Sequence, residues 1–402
     1  MTVRYNSIGH VRPFGFARLL FRWEASIWHS IWVELCSWVV MFYLISFGYR
    51  LSWLADGSSA EDNPSSKRIF EQVVLDWNAN NTIVPVTFVL GFYTSIMFTR
   101  WWAQFLQVPW IDPLCQALNV SLRAERLADK DEVLQIKRSI IRWINLASCL
   151  VYQDCSQKIK QESFPDLAAL VRLGVLNRDE MNELNESPHD SHAFYLPYSW
   201  SHAVLNQAQD KGFIRSDIHM RLLIDKLESQ RLGHGNLLGY GWVSIPLLFT
   251  QVVTAAVYTH FAFALVSEQF LDPAMKYPGH EADWGIPFFS MMRIVTLVGW
   301  LKASELMKSP FGSDADSFEI DWIIRRNLDV GLDIVTRQCD RFPKVQKDVY
   351  WESSRTPGMD ALRQRHRASG GREQRASSYG RHRDSHSSNE NKDQELGNIP
   401  LL

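Results

Sequence analysis

The sequence predicts an all-α polytopic membrane protein, with four transmembrane helices and a helical cytosolic domain, and three observations carry the prediction. Formal charge is absent over stretches long enough to cross a bilayer, between Asp76 and Arg100 and again between Arg231 and Glu268. A charged segment between these stretches repeats its apolar residues with a helical period. The chain also holds 16 Trp in 402 residues, and Trp gathers where an apolar body meets a polar boundary. With 46% hydrophobic residues, a net charge of −2 and a mean hydropathy of −0.17, the composition fits neither a soluble domain nor a bare membrane bundle.

Residues 1–26 read as a cytosolic arm. They carry Arg4, Arg12, Arg18, Arg22 and Glu24 without a short apolar core or a small-residue cleavage site, so no cleavable signal is expected. The first span runs from about Ile27 to Tyr49. Only 15 uncharged residues separate Glu34 from Arg50, so the turn holding Ile27, Trp28, Ile31 and Trp32 supplies the missing length and Glu34 is expected to face protein or a polar interface. Residues 51–76, acidic and rich in Ser, Gly and Asn, form an outer connection. The second span, Trp77 to Trp102, completes a unit at 27–102. In it Val84, Phe88 and Phe92 recur every four residues, within about 80° of rotation on a helix. Periodicity alone favours packing against a neighbouring helix, with Pro85 and Gly91 serving close approach and Thr87 offering a hydroxyl. Arg100 and the arginine-rich arm fall on the cytosolic side by the positive-inside rule. Asn80-Asn81-Thr82 is a glycosylation sequon too near the membrane to be used.

Residues 103–231 read as the cytosolic helical domain. Val133, Ile136, Ile140, Ile144, Ala147 and Val151 mark one helix face. Lys137, Arg138 and Arg142 lie opposite and read as a solvated surface rather than a nucleic-acid patch, given the balanced charge. A loop from Asn177 to His192 precedes a helix beginning near Gly212, where Ile214, Ile218 and Leu222 form a stripe that spacing alone assigns to a core. Residues 232–302 hold the third span, Tyr240 to Val266, kinked by Pro246, and the fourth, Ile286 to Leu301, ending at Lys302. Arg293 sits inside the fourth span; pairing with a carboxylate on a neighbouring helix, Glu34 being the candidate, is favoured over an anion site.

Residues 303–351 continue the cytosolic part and contain Ser309-Pro310-Phe311-Gly312-Ser313-Asp314-Ala315-Asp316-Ser317-Phe318-Glu319. Closely spaced oxygen ligands suit calcium, and a helix N-terminus capped by Asp314 and Asp316 is equally good physics. The run matches no EF-hand. Residues 352–402 are too poor in large apolar residues to bury a core and read as a disordered tail. In it Arg367-Ala368-Ser369 and Arg375-Ala376-Ser377 offer Ser369 and Ser377 to a basophilic kinase. The five cysteines suggest neither a disulfide framework nor a metal-ligand pair. No phosphate-binding glycine loop, zinc spacing or nucleophile motif points to an enzyme.

The run Pro85-x-x-Phe88-Val89-Leu90-Gly91-Phe92-Tyr93, closed by Thr99-Arg100-Trp101-Trp102, resembles the pore-lining second transmembrane segment of the bestrophins, the calcium-activated chloride channels. The resemblance continues in order through Arg18-Leu19-Leu20, Ser244-Ile245-Pro246-Leu247, Thr250-Gln251-Val252-Val253, Tyr277-Pro278-Gly279-His280-Glu281, Gly299-Trp300-Leu301-Lys302, Pro310-Phe311-Gly312 and Arg326-Asn327-Leu328, over roughly residues 1–351. It implies a homopentamer around a central pore, multi-pass in the cell membrane with both termini cytosolic, passing chloride and bicarbonate. Val84, Phe88 and Phe92 would form the hydrophobic neck, supported by Pro85, Thr87 and Gly91. Gly212-x-Ile214-Arg215-x-x-Ile218 resembles the segment that narrows the cytosolic end of the conduit, with Ile218 at the constriction.

The resemblance also implies a regulatory calcium site. Gly9, Leu306 and Ser309 would give carbonyls and Asp314 a carboxylate. Ser317 stands where the family has a second ligating carboxylate, and Asp316 substitutes only if the loop shifts by one residue, so weaker calcium binding than the family norm is expected. The family triplet Arg-Phe-Pro reads Ser163-Phe164-Pro165 here, and Arg341-Phe342-Pro343 is a separate occurrence. The alternatives are a non-selective or cation-conducting relative and a non-conducting membrane scaffold.

Overall fold

The computed structural model describes residues 22–23, 26–56, 66–80, 85–187, 193–278, 285–312, 317–337, 341–348 and 351. The chain divides into two units, 1–340 and 341–402. Among the described residues of the first, structure is all-α apart from one isolated bridge between Leu122 and Ile214. In the second, residues 341–348 form neither helix nor strand.

Four helices of the first unit share one apolar core, α1 (Ile27–Asp56) and α3 (Val86–Leu106) with α10 (Leu247–Ser267) and α11 (Phe288–Met307) from later in the chain, and α2 (Ser66–Asn80) packs on α1 and α10 through a smaller cluster of Val74, Tyr49 and Leu271. By length and composition, Ile27–Leu51 and Leu247–Ser267 are long and apolar enough to cross a membrane. Helices α3 and α11 have comparable length, 21 and 20 residues, but dilute their apolar content with Arg100 in the one and Arg293, Lys302 and Glu305 in the other. Leu90, Tyr93 and Met97 of α3 meet Val257 and Phe261 of α10 and Ile294 of α11. A side chain at Gly299 would run into Ile27, so glycine is what lets α1 and α11 approach closely. Trp38 closes the same layer by donating Nε1–H to the Phe261 carbonyl at 3.0 Å.

The remaining helices are α4 (Asp112–Ser121), α5 (Lys130–Cys155), α6 (Leu167–Arg172), α7 (Arg178–Glu186), α8 (Tyr195–Asp210), α9 (Asp217–Trp242) and α12 (Ile320–Thr336). The face expected on α5 is inside: Val133, Ile140, Ile144, Ala147 and Val151 are buried and Ile136 packs against them. The opposite face is solvated only in part: Arg138 is exposed as the charge pattern implied, but its two companions are covered. Lys137 is buried and donates to Asn119 at 3.1 Å, and Arg142 pairs with Glu180 through two bonds of 2.5 Å. Helix α5 is the hub of this layer, with α12 and α9 on one side and α8 on another, so little of its surface is left for water.

Other expectations change for local reasons. The stretch read as a loop from Asn177 contains α7, started by a capping box in which Asn177 N–H donates to Glu180 at 2.8 Å. The outer connection contains α2, whose Glu71 is fully buried and accepts from the hydroxyls of Tyr49 at 2.7 Å and Tyr277 at 2.9 Å. Pro246 does not kink a third span: α9 stops at Trp242, and Pro246 is the N-cap of a new helix. Nor does α9 begin near Gly212, which takes a φ of +80° after α8; Ser216 caps it. Arg326 and Asp112 join α12 to α4, and that hydrogen-bonded guanidinium holds the carboxyl below the usual range.

A histidine is enclosed in this layer. His234 of α9 is fully buried, its Nδ1 2.7 Å from the Tyr198 hydroxyl and its Nε2 3.0 Å from the Ser148 hydroxyl. Burial pushes the imidazole down to about 3, so the ring is neutral in the folded protein. An unfolded chain takes up this proton near the ordinary histidine value of about 6.5. Stability from this group is therefore complete above that pH and falls as pH drops from there toward 3, by about 1 kcal/mol per pH unit. Melting temperatures between pH 7.5 and 5 are expected to decline more steeply for the wild type than for His234→Gln; parallel declines would contradict the assignment.

Candidate functional site

Helix α3 has two unlike faces. Leu90, Tyr93 and Met97 are buried, whereas Phe88 and Phe92 are 72% and 61% exposed, with ring centroids 6.3 Å apart and ring planes 29° from parallel. Large apolar side chains set side by side on an open face mark a surface that meets something beyond the chain itself. The helix starts at Pro85, whose carbonyl accepts from Phe88 N–H at 3.0 Å and Val89 N–H at 3.1 Å. Thr87 is exposed beside them. Close approach does not explain Gly91, since a Cβ there would meet only the Trp300 ring at 3.9 Å. Val84 lies outside the described residues.

Ile218 stands in the first turn of α9 and is 78% exposed, although Met220 and Leu223 next to it are buried. Ser216 fixes that turn by accepting from Ile218 N–H at 3.2 Å. The stripe of Ile214, Ile218 and Leu222 is thus divided: Ile214 is core, Leu222 is partly buried against it, and Ile218 points away. Spacing could not separate them because Ile214 precedes the helix.

The segment after α11 is held at its base. Phe318 N–H donates to the Pro310 carbonyl at 2.8 Å, and the hydroxyl of Ser156, the C-cap of α5, donates to the Phe311 carbonyl at 2.6 Å. The Phe318 ring lies 4.7 Å from both Trp101 and Phe105 of α3. The carbonyl of Leu306 accepts from Ser309 N–H at 3.3 Å and that of Ser309 from Gly312 N–H at 3.1 Å. A carbonyl has two lone pairs, so further acceptor capacity remains on such oxygens, and with the Ser317 hydroxyl they are hard donors of the type calcium takes. Gly9, Asp314 and Asp316 lie outside the described residues. Among the described residues no group of three or more His, Cys, Asp or Glu side chains is placed to hold a metal ion.

Arg293 does pair with a carboxylate, but the partner is Glu268 at the C-terminal end of α10, which also accepts from Ser290. Glu34 instead lies 3.1 Å from Lys302, which is equally close to Glu305. Charge alone could not choose between the two cations, because sequence gives no depth for Glu34 on α1. The aromatic bridge between Phe318 and α3 was also not read from sequence; its only trace is Trp101 and Phe105 four residues apart. The four described cysteines, Cys36, Cys115, Cys149 and Cys155, are free.

These features define a helical protein with two membrane-length apolar helices among the described residues and an exposed aromatic pair on a third helix of comparable length. The chain belongs to the bestrophin family: residues 1–337 match the family described as Bestrophin, RFP-TM, chloride channel. It is 37% identical to human bestrophin-3 over 357 residues, covering 88% of this chain and 51% of that protein. Against human bestrophin-1 the identity is 35% over 353 residues, 87% of this chain and 58% of that protein. The chain thus spans between half and three fifths of the length of these two relatives. The fold is also that of a crystal structure of a bacterial bestrophin homologue from Klebsiella pneumoniae, with a TM-score of 0.55 at 17% identity, covering 76% of this chain and 99% of that one. The family is one of ion channels rather than enzymes.

Proposed function

We propose that this chain is the subunit of a calcium-activated chloride channel, five copies surrounding one pore in the cell membrane. Helices α1, α3, α10 and α11 are the four spans, and both termini are cytosolic. The observation that carries the reading is the exposed pair Phe88 and Phe92 on a helix whose other face is core, in a chain of a chloride-channel family. Val84, Phe88 and Phe92 from five subunits form the neck, with Pro85, Thr87 and Gly91 shaping the helix behind it. Ile218 forms a second constriction at the cytosolic end.

Aromatic edges carry partial positive charge, and apolar walls pass an anion without trapping it. The same ring dewets readily, so the resting neck is closed without a plug. Leu306, Ser309, Ser317 and Asp314 would hold calcium together with Gly9 of the N-terminal arm, and the ion would supply charge that draws these oxygens inward. The loop they sit on bears through Phe318 on Trp101 and Phe105, which gives it purchase on the neck helix. Chloride and bicarbonate are the permeant ions. Ser369 and Ser377 of the tail are sites for a basophilic kinase.

Replacing Val84, Phe88 and Phe92 together by Ala is expected to leave large currents with little calcium dependence, because the wider neck stays wet. Calcium-dependent gating of wild-type form in the triple mutant would contradict the neck. At the loop, hard-cation affinity tracks the number of charged oxygens. Calcium titrations in excised patches are expected to shift to lower concentration for Ser317→Asp and to higher concentration, or to no activation, for Asp314→Ala. A helix cap in place of a calcium site predicts otherwise, with Asp314→Ala costing about 1 kcal/mol of local stability and all three titration curves coinciding.

A further inference from the structure

The break between α9 and α10 is closed from a third helix. At the end of α9 the chain leaves helical geometry at Val243 (φ −90°, ψ 90°) and restarts only after Pro246, so the last carbonyls of α9 have no helical partner. Arg100 of α3 supplies one. A single nitrogen, Nη2, donates to the Tyr240 carbonyl at 2.5 Å and to the Val243 carbonyl at 2.7 Å, and the guanidinium carbon lies 5.2 Å from the centre of the Tyr240 ring. The cation also sits at the negative end of the α9 dipole.

The two helices joined by this contact belong to different cores. Helix α9 buries Leu223, Leu227, His234 and Leu237 in the cores around α5. Its backbone comes so close to the α3–α4 connection that a Cβ at Gly233 would lie 2.8 Å from the Gln107 carbonyl. Helix α3 carries the exposed Phe88 and Phe92 two to three turns from Arg100. From this geometry we infer that Arg100 is a positioning residue that ties the inner end of the neck helix to the fixed end of α9 and thereby sets the open–closed balance at Phe88 and Phe92. The inference rests on the neck reading above. It is separate from the calcium loop, which meets α3 through Trp101 and Phe105.

The test uses purified full-length protein in planar bilayers at fixed voltage and saturating calcium. Arg100→Gln is expected to lower open probability at least threefold, and Arg100→Lys, which keeps the charge but not the planar stack on Tyr240, to recover part of it. The permeability ratio of chloride to a larger anion should be unchanged, since Ile218 is not moved. In the Val84, Phe88 and Phe92 triple-Ala background Arg100→Gln should have no effect, because the gate it acts through is gone. Unchanged open probability, or an equal fall in the triple-Ala background, overturns the inference while leaving the neck in place. A wild type that carries no anion current removes the neck reading and this inference together. If neither Arg100 variant yields channels, amide hydrogen exchange on the purified Arg100→Lys protein decides: faster exchange confined to residues 239–249 supports the tie, and exchange equal to wild type overturns it.

Discussion

Lipid offers no hydrogen bonds, so every polar group and every helix break near the membrane must be satisfied from within the protein. The layer of α1, α2, α3, α10 and α11 meets that constraint at most of its polar groups, while His260 Nε2, Ser267 Oγ and Gln269 Oε1 are buried without a partner among the described residues. Trp38 spends its indole N–H on the Phe261 carbonyl, Gln269 bonds the carbonyls of Phe42 and Leu265, and Arg100 takes the carbonyls left open where α9 ends. Charged groups in α1 and α11 follow the same rule: Glu34 lies against Lys302 and Arg293 against Glu268. On α3 the most exposed large side chains of the first half are apolar, Phe88 and Phe92, on the face away from the buried Leu90 and Tyr93.

The helices around α5, proposed above to be cytosolic, solve a different problem. Where water is available polar side chains are free to point outward, and the burial of Lys137 and His234 and the partial burial of Arg142 and Glu180 need local compensation. Each has it: Asn119 for Lys137, Glu180 for Arg142, and the hydroxyls of Tyr198 and Ser148 for His234. Enclosing such groups fixes the helices that bear them, since a shifted helix would leave them unpaired. Helix α9 therefore makes a firm reference against which a neck helix can move.

Much of this was legible in the chain. Uncharged length identified the regions of α3 and α10, apolar runs interrupted by Glu34 and Arg293 identified those of α1 and α11, and the 3.6-residue period found the buried face of α5. The resemblance over nearly the whole chain picked out Phe88, Phe92 and Ile218, which spacing alone assigned to a core. What stayed hidden is what depends on three-dimensional neighbours. A proline can kink a helix or begin one, and Pro246 began one because Trp242 had already ended the helix before it. A lysine opposite an apolar stripe reads as solvated until a second and third helix cover it, as happens to Lys137. Glu34 and Arg293 carry opposite charge on different helices, yet each chose another partner, because pairing depends on depth along the helix and sequence does not record depth. The carbonyl acceptors of Arg100 are backbone atoms and leave no mark in composition.

The central claim is that chloride passes through this protein itself. Reconstituting purified protein in planar bilayers and replacing chloride on one side by a large impermeant anion tests it most directly. The account predicts a calcium-dependent current whose reversal potential follows the chloride gradient. A reversal potential that follows the cation gradient, or no current from protein that has assembled, would contradict it.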